Sequence, residues 1–169
     1  MLSSFSDSKQ KEKNKSIQEV QFVVFLLGEK EYGVKIEQTR EIIAEENYEL
    51  TPVPNSPEYV NGIINLRGDI VPIVNLFEKL NIEINKKEIN NKIITIEING
   101  SLIGMEVDEV KEIERFKKDE ISEPPAITKN INRDFVNGVG KTDEGLLIIL
   151  DLNKVLSDRE MEEIDQMDI

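Results

Sequence analysis

The chain has 169 residues, a formal net charge of −13 and neither Cys nor His. That length suits one compact domain or two very small ones, and the missing residue types exclude a disulfide scaffold and any zinc site built from thiolate or imidazole. The acidic balance argues against nucleic acid and against anionic lipid, both of which call for a basic surface, and leaves protein partners.

Residues 1–17 read as a disordered polar tail: "MLSSFSDSKQKEKNKS" has no apolar core of the kind a signal peptide needs. No apolar run approaches the ~20 residues that span a bilayer, so a cytoplasmic chain without direct membrane contact is expected. "VQFVVFLL" (Val20–Leu27) predicts a strand with apolar side chains on both faces, which implies that both faces are covered. "GEKE" turns it back into "YGVKI" (Tyr32–Ile36), and "EQTREI" (Glu37–Ile42) reads as one irregular or helical turn. "TPVPNSP" (Thr51–Pro57) is too proline-rich for a central strand and reads as a loop.

"NGIINLRGDIVPIVNL" (Asn61–Leu76) is a hairpin closed by a tight Arg-Gly-Asp turn, and "NLFEKL" (Asn75–Leu80) a short helix. A polar linker at 81–90 leads to "KIITIEI" (Lys92–Ile98), whose alternation predicts a half-buried strand. Asn99-Gly100 suits a type I′ turn into "SLIGMEV" (Ser101–Val107). "EPPAI" (Glu123–Ile127) breaks the chain before a last hairpin, Phe135 through "KTDEG" to "LLIILDL". Ser157 and Glu160 can form a capping box for a weak acidic helix within the 157–169 tail. Strands dominate, which is an all-β, small-barrel pattern.

Two segments repeat without gaps. "GEKEYGVKIEQTREI" (Gly28–Ile42) lies over "NGSLIGMEVDEVKEI" (Asn99–Ile113), and "YVNGIINLRGDIVPIVNLFEKL" (Tyr59–Leu80) over "FVNGVGKTDEGLLIILDLNKVL" (Phe135–Leu156). The order is the same in both cases, which favours a duplication over the chance likeness of hairpins in an Ile-rich chain. The unit spans 18–156, with repeat halves of about 18–80 and 91–156, with or without exchange of strands between them. Gly62 and Gly138 then share one role, a bulge or a close backbone approach. Glu41 and Glu112 are equivalent, but Arg67-Gly68 lies over Asp143-Glu144. A turn residue need not be a long cation, and one copy does without it. Arg67 is either a bidentate donor for a partner's carboxylate or carbonyls, or half of a local salt bridge to Asp69 or a neighbouring Glu. The tripeptide also spells an adhesive integrin ligand, which a cytoplasmic location disfavours.

The usual triads, dyads and zinc-water mechanisms need His or Cys and are unavailable. The carboxylates lie mostly in charge runs such as "AEENYE" and "DREMEEID", which read as solvated faces. "NGVGK" lacks the following helix and Ser/Thr of a phosphate-binding loop. No enzyme, cofactor or metal is expected.

The segment "VNGIINLRGDIVPIVNL" resembles the signature of the CheW-type coupling proteins of bacterial chemotaxis, in which Gly-x-x-Asn-Leu-Arg-Gly leads into an apolar Pro-x-x-Asp-Leu strand. "FLLGEKEYGVKIEQTREI", "GMEVDEVKEI" and "VNGVGKTDEGLLIILDLNKVL" extend the resemblance over residues 18–156. It implies two related five-stranded SH3- or OB-like barrels packed together. It also implies a non-enzymatic adaptor that holds the histidine kinase CheA to the cytoplasmic tips of methyl-accepting chemoreceptors, in arrays at the inner membrane face. Arg67 matches an arginine linked to receptor binding, Glu41 a glutamate linked to coupling, and Gly62 and Gly68 glycines of the same surfaces. A groove between barrels can receive apolar side chains of a receptor tip, with Ile42, Ile43 and Val110 as candidates to line it, each also a candidate for the core. The chain departs from the pattern at Asn75, where the family usually has Asp, and at Asn61, where a basic residue is common. Two other readings are open: the coupling domain of a hybrid adaptor carrying a receiver domain, and an OB-type binder of single-stranded nucleic acid, which the acidity opposes.

Overall fold

A computed structural model describes residues 18–82, 91–124, 133–143 and 145–167. The expectations for the tail, for most of the polar linker and for most of "EPPAI" lie outside the described residues. Strand β1 (Glu19–Leu27) turns at Gly28 and Glu29, both at positive φ, into β2 (Lys30–Lys35). A 3₁₀ turn at Ile36–Gln38 leads to β3 (Glu41–Ala44), and a second at Glu45–Asn47 ends it. Thus "EQTREI" is not a turn throughout: its last two residues open an edge strand. Strands β4 (Val60–Leu66) and β5 (Asp69–Asn75) form the Arg-Gly hairpin, followed by helix α1 (Leu76–Leu80), whose first turn is capped by the Asn75 side chain accepting from the Glu78 N–H.

The second half repeats the plan. Strands β6 (Lys92–Ile98) and β7 (Ser101–Val107) are joined by Asn99 and Gly100, both at positive φ as a type I′ turn requires. Strand β8 (Glu109–Lys117) and the two-residue β9 (Ile121–Ser122) precede the hairpin of β10 (Val136–Thr142) and β11 (Gly145–Leu150), then α2 (Leu152–Val155) and α3 (Asp158–Asp165). The capping box forms as the sequence suggests, the Ser157 hydroxyl accepting from the Glu160 N–H and the Glu160 carboxylate from the Ser157 N–H.

The strands make two sheets, ordered β8-β1-β2-β11-β10-β9 and β3-β6-β7-β5-β4. The first therefore has six strands rather than five. The extra one, β9, holds the place that an isolated bridge between Thr51 and Ile63 holds in the second sheet. Each sheet takes its leading hairpin from one half of the chain and its closing hairpin from the other. The duplication is visible in the register: β2 and β11 pair in parallel with Gly33 opposite Ile149, and β7 and β5 in parallel with Gly104 opposite Ile73. The bulges repeat too, between Val60 and Gly62 and between Val136 and Gly138.

Three apolar clusters follow from this curling. Phe22, Val24, Phe116, Leu147 and Ile149 fill the first barrel, and Ile43, Ile64, Leu66, Val71, Ile73 and Ile93 the second. A larger cluster between them takes Val23, Phe25 and Leu27 from the other face of β1, Ile94 and Ile96 from β6, and the buried sides of all three helices. That is why β1 is apolar on both faces. Strand β6 is not half-buried as its alternation suggests: Ile93 faces the second barrel, Ile94 and Ile96 the central core, and Thr95 is fully buried with its hydroxyl donating to the Glu41 carbonyl. Burying each such aliphatic side chain contributes about 1.5–3 kcal/mol, so the central layer is what joins two barrels too small to stand alone.

Candidate functional site

The hairpin tip at Arg67 is built by the backbone first. Arg67 and Gly68 have φ of 52° and 92°, the two left-handed positions of a type I′ turn, and the Asn65 carboxamide oxygen accepts from the Gly68 N–H at 2.8 Å. Gly68 answers a conformational need alone, since nothing lies within 4 Å of where its Cβ would be. Arginine is an unfavourable occupant of its position, because a side chain there crowds the following carbonyl. Asn99 occupies the corresponding position of the β6–β7 turn, which shows what local conformation alone would choose.

From this tip the guanidinium reaches Glu41, donating from Nη1 to Oε2 at 3.0 Å and from Nη2 to Oε1 at 2.6 Å. The two residues are 26 apart in sequence. They meet because β3 and β4 are the two edges of the second sheet, and its curl brings one edge back to the other. The pair is exposed, with 67% of the Arg67 and 35% of the Glu41 side chain accessible. The hydrogen bonds from Arg67 hold the Glu41 carboxyl below the usual carboxylate range, and the same bonds raise the guanidinium further. Of the two readings of Arg67, the local salt bridge is present, but to Glu41 rather than Asp69. Much of the Arg67 side chain is left accessible, at 67%.

Ile42 follows Glu41 on β3 and Ile70 follows Asp69 on β5, and both are large apolar side chains left exposed, at 44% and 47%. The sequence reading proposes Ile42 and misses Ile70. The structure brings Glu41, Ile42, Arg67 and Gly68 to one end of the second barrel. It places Ile43 inside that barrel at 8% exposure, and packs half-buried Val110 of β8 against the central core. Gly62 lies within the fold: a Cβ there would stand 2.5 Å from the Thr51 carbonyl oxygen, so the residue admits the crossing chain.

The first barrel repeats the apolar pair. Ile113 lies over Ile42 and Leu146 over Ile70, and these four are the exposed large hydrophobics among the described residues. The repeat alignment carries this signal, because both pairs fall in the gapless segments. The ionic pair is not repeated: the equivalents of Glu41 and Arg67 are Glu112 and Asp143, two acids. The open clefts lie elsewhere. One of about 490 Å³ is lined by Pro54, Pro57, Glu163 and Met167, and one of about 360 Å³ by Gln38, Arg40, Glu97 and Asn153. Among the described residues no group of three acidic side chains is arranged to hold a metal ion, and no helix is long and apolar enough to cross a membrane.

Comparison with known proteins gives a consistent picture. A family profile described as the CheW-like domain matches residues 21–160. The chain is 28% identical over 151 residues to the chemotaxis protein CheW of Treponema pallidum, covering 87% of this chain and 88% of that one. It is 30% identical over 147 residues to the chemotaxis protein CheW of Klebsiella aerogenes, covering 87% of each. The crystal structure of the scaffolding protein TtCheW from Thermoanaerobacter tengcongensis superposes with a TM-score of 0.75 at 34% identity, over 85% of this chain and 91% of that one.

Proposed function

The chain belongs to the CheW-like domain family, and on that premise we propose that it is a non-enzymatic chemotaxis scaffold that holds the histidine kinase CheA to the cytoplasmic tips of chemoreceptors. The observation that carries this reading is the exposed bidentate Arg67–Glu41 pair, on the barrel whose strands β3 and β5 also expose Ile42 and Ile70, with acids at both equivalent positions of the other barrel. An exposed ion pair stabilises a fold little, and an arginine in a left-handed turn costs rather than gains. The arrangement is economical only as a recognition surface. Glu41 fixes the plane of the guanidinium, so less freedom is lost when a partner's carbonyl or carboxylate accepts from it. The flanking isoleucines supply apolar contact, which suits a helical hairpin presenting apolar and acidic side chains.

The kinase docks by likeness rather than by a dedicated pocket. Its regulatory domain is related to this family, and the apolar pairs at Ile42/Ile70 and Ile113/Leu146 provide two equivalent faces for pairing barrel to barrel. Receptor-tip capture tests the assignment. Arg67→Glu lowers the affinity for purified receptor tips at least tenfold while the circular dichroism spectrum stays native. A folded variant with unaltered receptor affinity removes Arg67 from the site.

A further inference from the structure

The strongest feature that the adaptor reading does not use is a pair of carboxyl groups at the closed end of the second barrel. Glu106 of β7 is 6% exposed, in register with Ile93 of β6 and Asn75 of β5. Glu45, from the 3₁₀ turn that ends β3, comes against it, and its Oε1 is buried without a hydrogen-bond donor. The remaining neighbours are amides. Asn61 of β4 and Asn91 ahead of β6 bond to Glu106, and Asn75 donates to Asn61 at 3.5 Å. Lys92 stands one rung away, opposite Ala44 and Val107, and Asp108, just past the end of β7, accepts from the Gly28 N–H at 2.9 Å.

Two ionised carboxylates in contact and out of water repel each other, and neither offers the other a donor. One proton cures both faults: an O–H on Glu106 donates to Glu45 Oε1, and the acceptor is no longer orphaned. We infer that Glu106 keeps its proton at neutral pH and donates it to Glu45 Oε1, and that this shared proton latches the Glu45–Asn47 turn onto the end of the barrel. Burial, and then the Glu45 carboxylate, push the Glu106 carboxyl up to about 8, which agrees with that state. Releasing the proton to solvent leaves two anions on one small site, and the more exposed Glu45 is the one free to swing outward. Two backbone bonds then remain at the turn, from the Glu45 N–H to the Asn91 carbonyl at 3.2 Å and from the Tyr48 N–H to the Glu45 carbonyl at 3.0 Å. Glu41 and Ile42 lie on the strand that this turn ends, and that strand stays paired to β6; any consequence for partner binding rests on the adaptor reading, but the latch does not.

The first barrel has no such device. The equivalents of Glu45 and Asn91 are Phe116 and Val20, and that of Glu106 is Lys35.

Carboxyl ¹³C NMR titration of the full chain tests the latch without any partner. One glutamate carboxyl titrates with a midpoint near 8, and the backbone amides of Ala44–Asn47 move with the same midpoint. Glu45→Gln removes the like charge and supplies a donor, so the Glu106 midpoint falls by at least one pH unit, a tenfold change in its proton affinity. Glu106→Gln abolishes the shift of the 44–47 amides between pH 6 and 9. If every glutamate of the wild type titrates below pH 6, or if Glu45→Gln leaves the high midpoint in place, the shared proton is refuted. Both results stand even if Glu106→Gln fails to fold.

Discussion

The two barrels share a register and differ at two places, their hairpin tips and their closed ends. Parallel pairing at Gly33–Ile149 and Gly104–Ile73, bulges at Gly62 and Gly138, and exposed apolar pairs at Ile42/Ile70 and Ile113/Leu146 recur in both. What recurs is what either barrel needs in order to close and to present an apolar face. What does not recur has no architectural requirement behind it, because the other copy folds without it. By that test the Arg67–Glu41 pair and the Glu45–Glu106 pair are additions to a common frame. The duplication thus provides an internal control within one chain.

The closed ends give the largest contrast. Phe116 plugs the first barrel, edge-on to Phe22 with ring centroids 5.8 Å apart. Phe116→Ala should cost about 3–4 kcal/mol, from lost transfer energy plus the cavity left behind. Glu45→Ala, at the equivalent position, should cost about 1–2 kcal/mol, since it leaves the buried Glu106 O–H without its acceptor but opens little apolar volume. Urea denaturation compares the two. Equal losses would mean that the polar end is packed as an apolar plug is, and the distinction between the barrels would fail.

The bulge glycines come next. A Cβ on Gly62 would meet the Thr51 carbonyl oxygen at 2.5 Å, backbone against which little can move. On Gly138 it would meet the Ile121 methyl at 2.7 Å, the far end of a flexible side chain, and the Ser122 oxygen at 3.0 Å. Gly62→Ala should therefore destabilise by about 3 kcal/mol and Gly138→Ala by about 1 kcal/mol, within the range for overpacking. Any loss of receptor binding in Gly62→Ala should track the loss of fold.

The carboxyl pair predicts a slope rather than a step. In the unfolded chain Glu106 releases its proton near the ordinary 4.5, whereas the folded chain keeps it until about 8. Between those values the folded state binds the extra proton. The stability this group provides is complete below pH 4.5 and drains by up to ~1.4 kcal/mol per pH unit as pH rises through the window. Above about 8 it is flat. Glu106→Gln lacks the titration, so it should gain on the wild type steadily from pH 5 to 8. Thermal unfolding at matched ionic strength measures the difference, and parallel curves would exclude the raised carboxyl.

Much of this frame is legible in the sequence, for reasons that differ by element. Strands β1, β6, β7 and the two Asn-Gly-containing hairpins announce themselves by apolar runs and turn residues, and the gapless repeat anticipates their shared register. Strand β8, "EVKEIERFK", is missed because only Phe116 is buried in it and charges mask its period. Strand β3 is missed because four residues at a sheet edge carry no periodic signal. The Arg67–Glu41 contact depends on closure of one sheet edge onto the other, which no local pattern encodes. Glu41 is reached as a site residue only through the family resemblance, whereas Arg67 also stands out in the repeat, where Asp143 takes its place. Ile113 and Leu146 could have been found through the repeat, since they fall at the positions of Ile42 and Ile70. Glu45 runs against its own context. It belongs to the acidic run "AEENYE", which reads as a solvated face, yet its Oε1 is buried against an acid 61 residues away (45 to 106).

The smallest stability effect belongs to the hairpin tips, and its smallness is the point. Arg67→Ala and Asp143→Ala both truncate exposed side chains at equivalent turns. Their urea midpoints at neutral pH should agree with the wild type within error. Arg67 holds the Glu41 carboxyl low, so the part of folding stability that this contact supplies is present above the ordinary glutamate range and disappears as pH falls through the depressed value. In Arg67→Ala the Glu41 midpoint should move back up, visible by carboxyl NMR, with no loss of fold. Receptor-tip affinity should then fall in Arg67→Ala alone. If Asp143→Ala weakens receptor binding as much, the two tips are equivalent in use as they are in register, and the unduplicated guanidinium no longer distinguishes one barrel from the other.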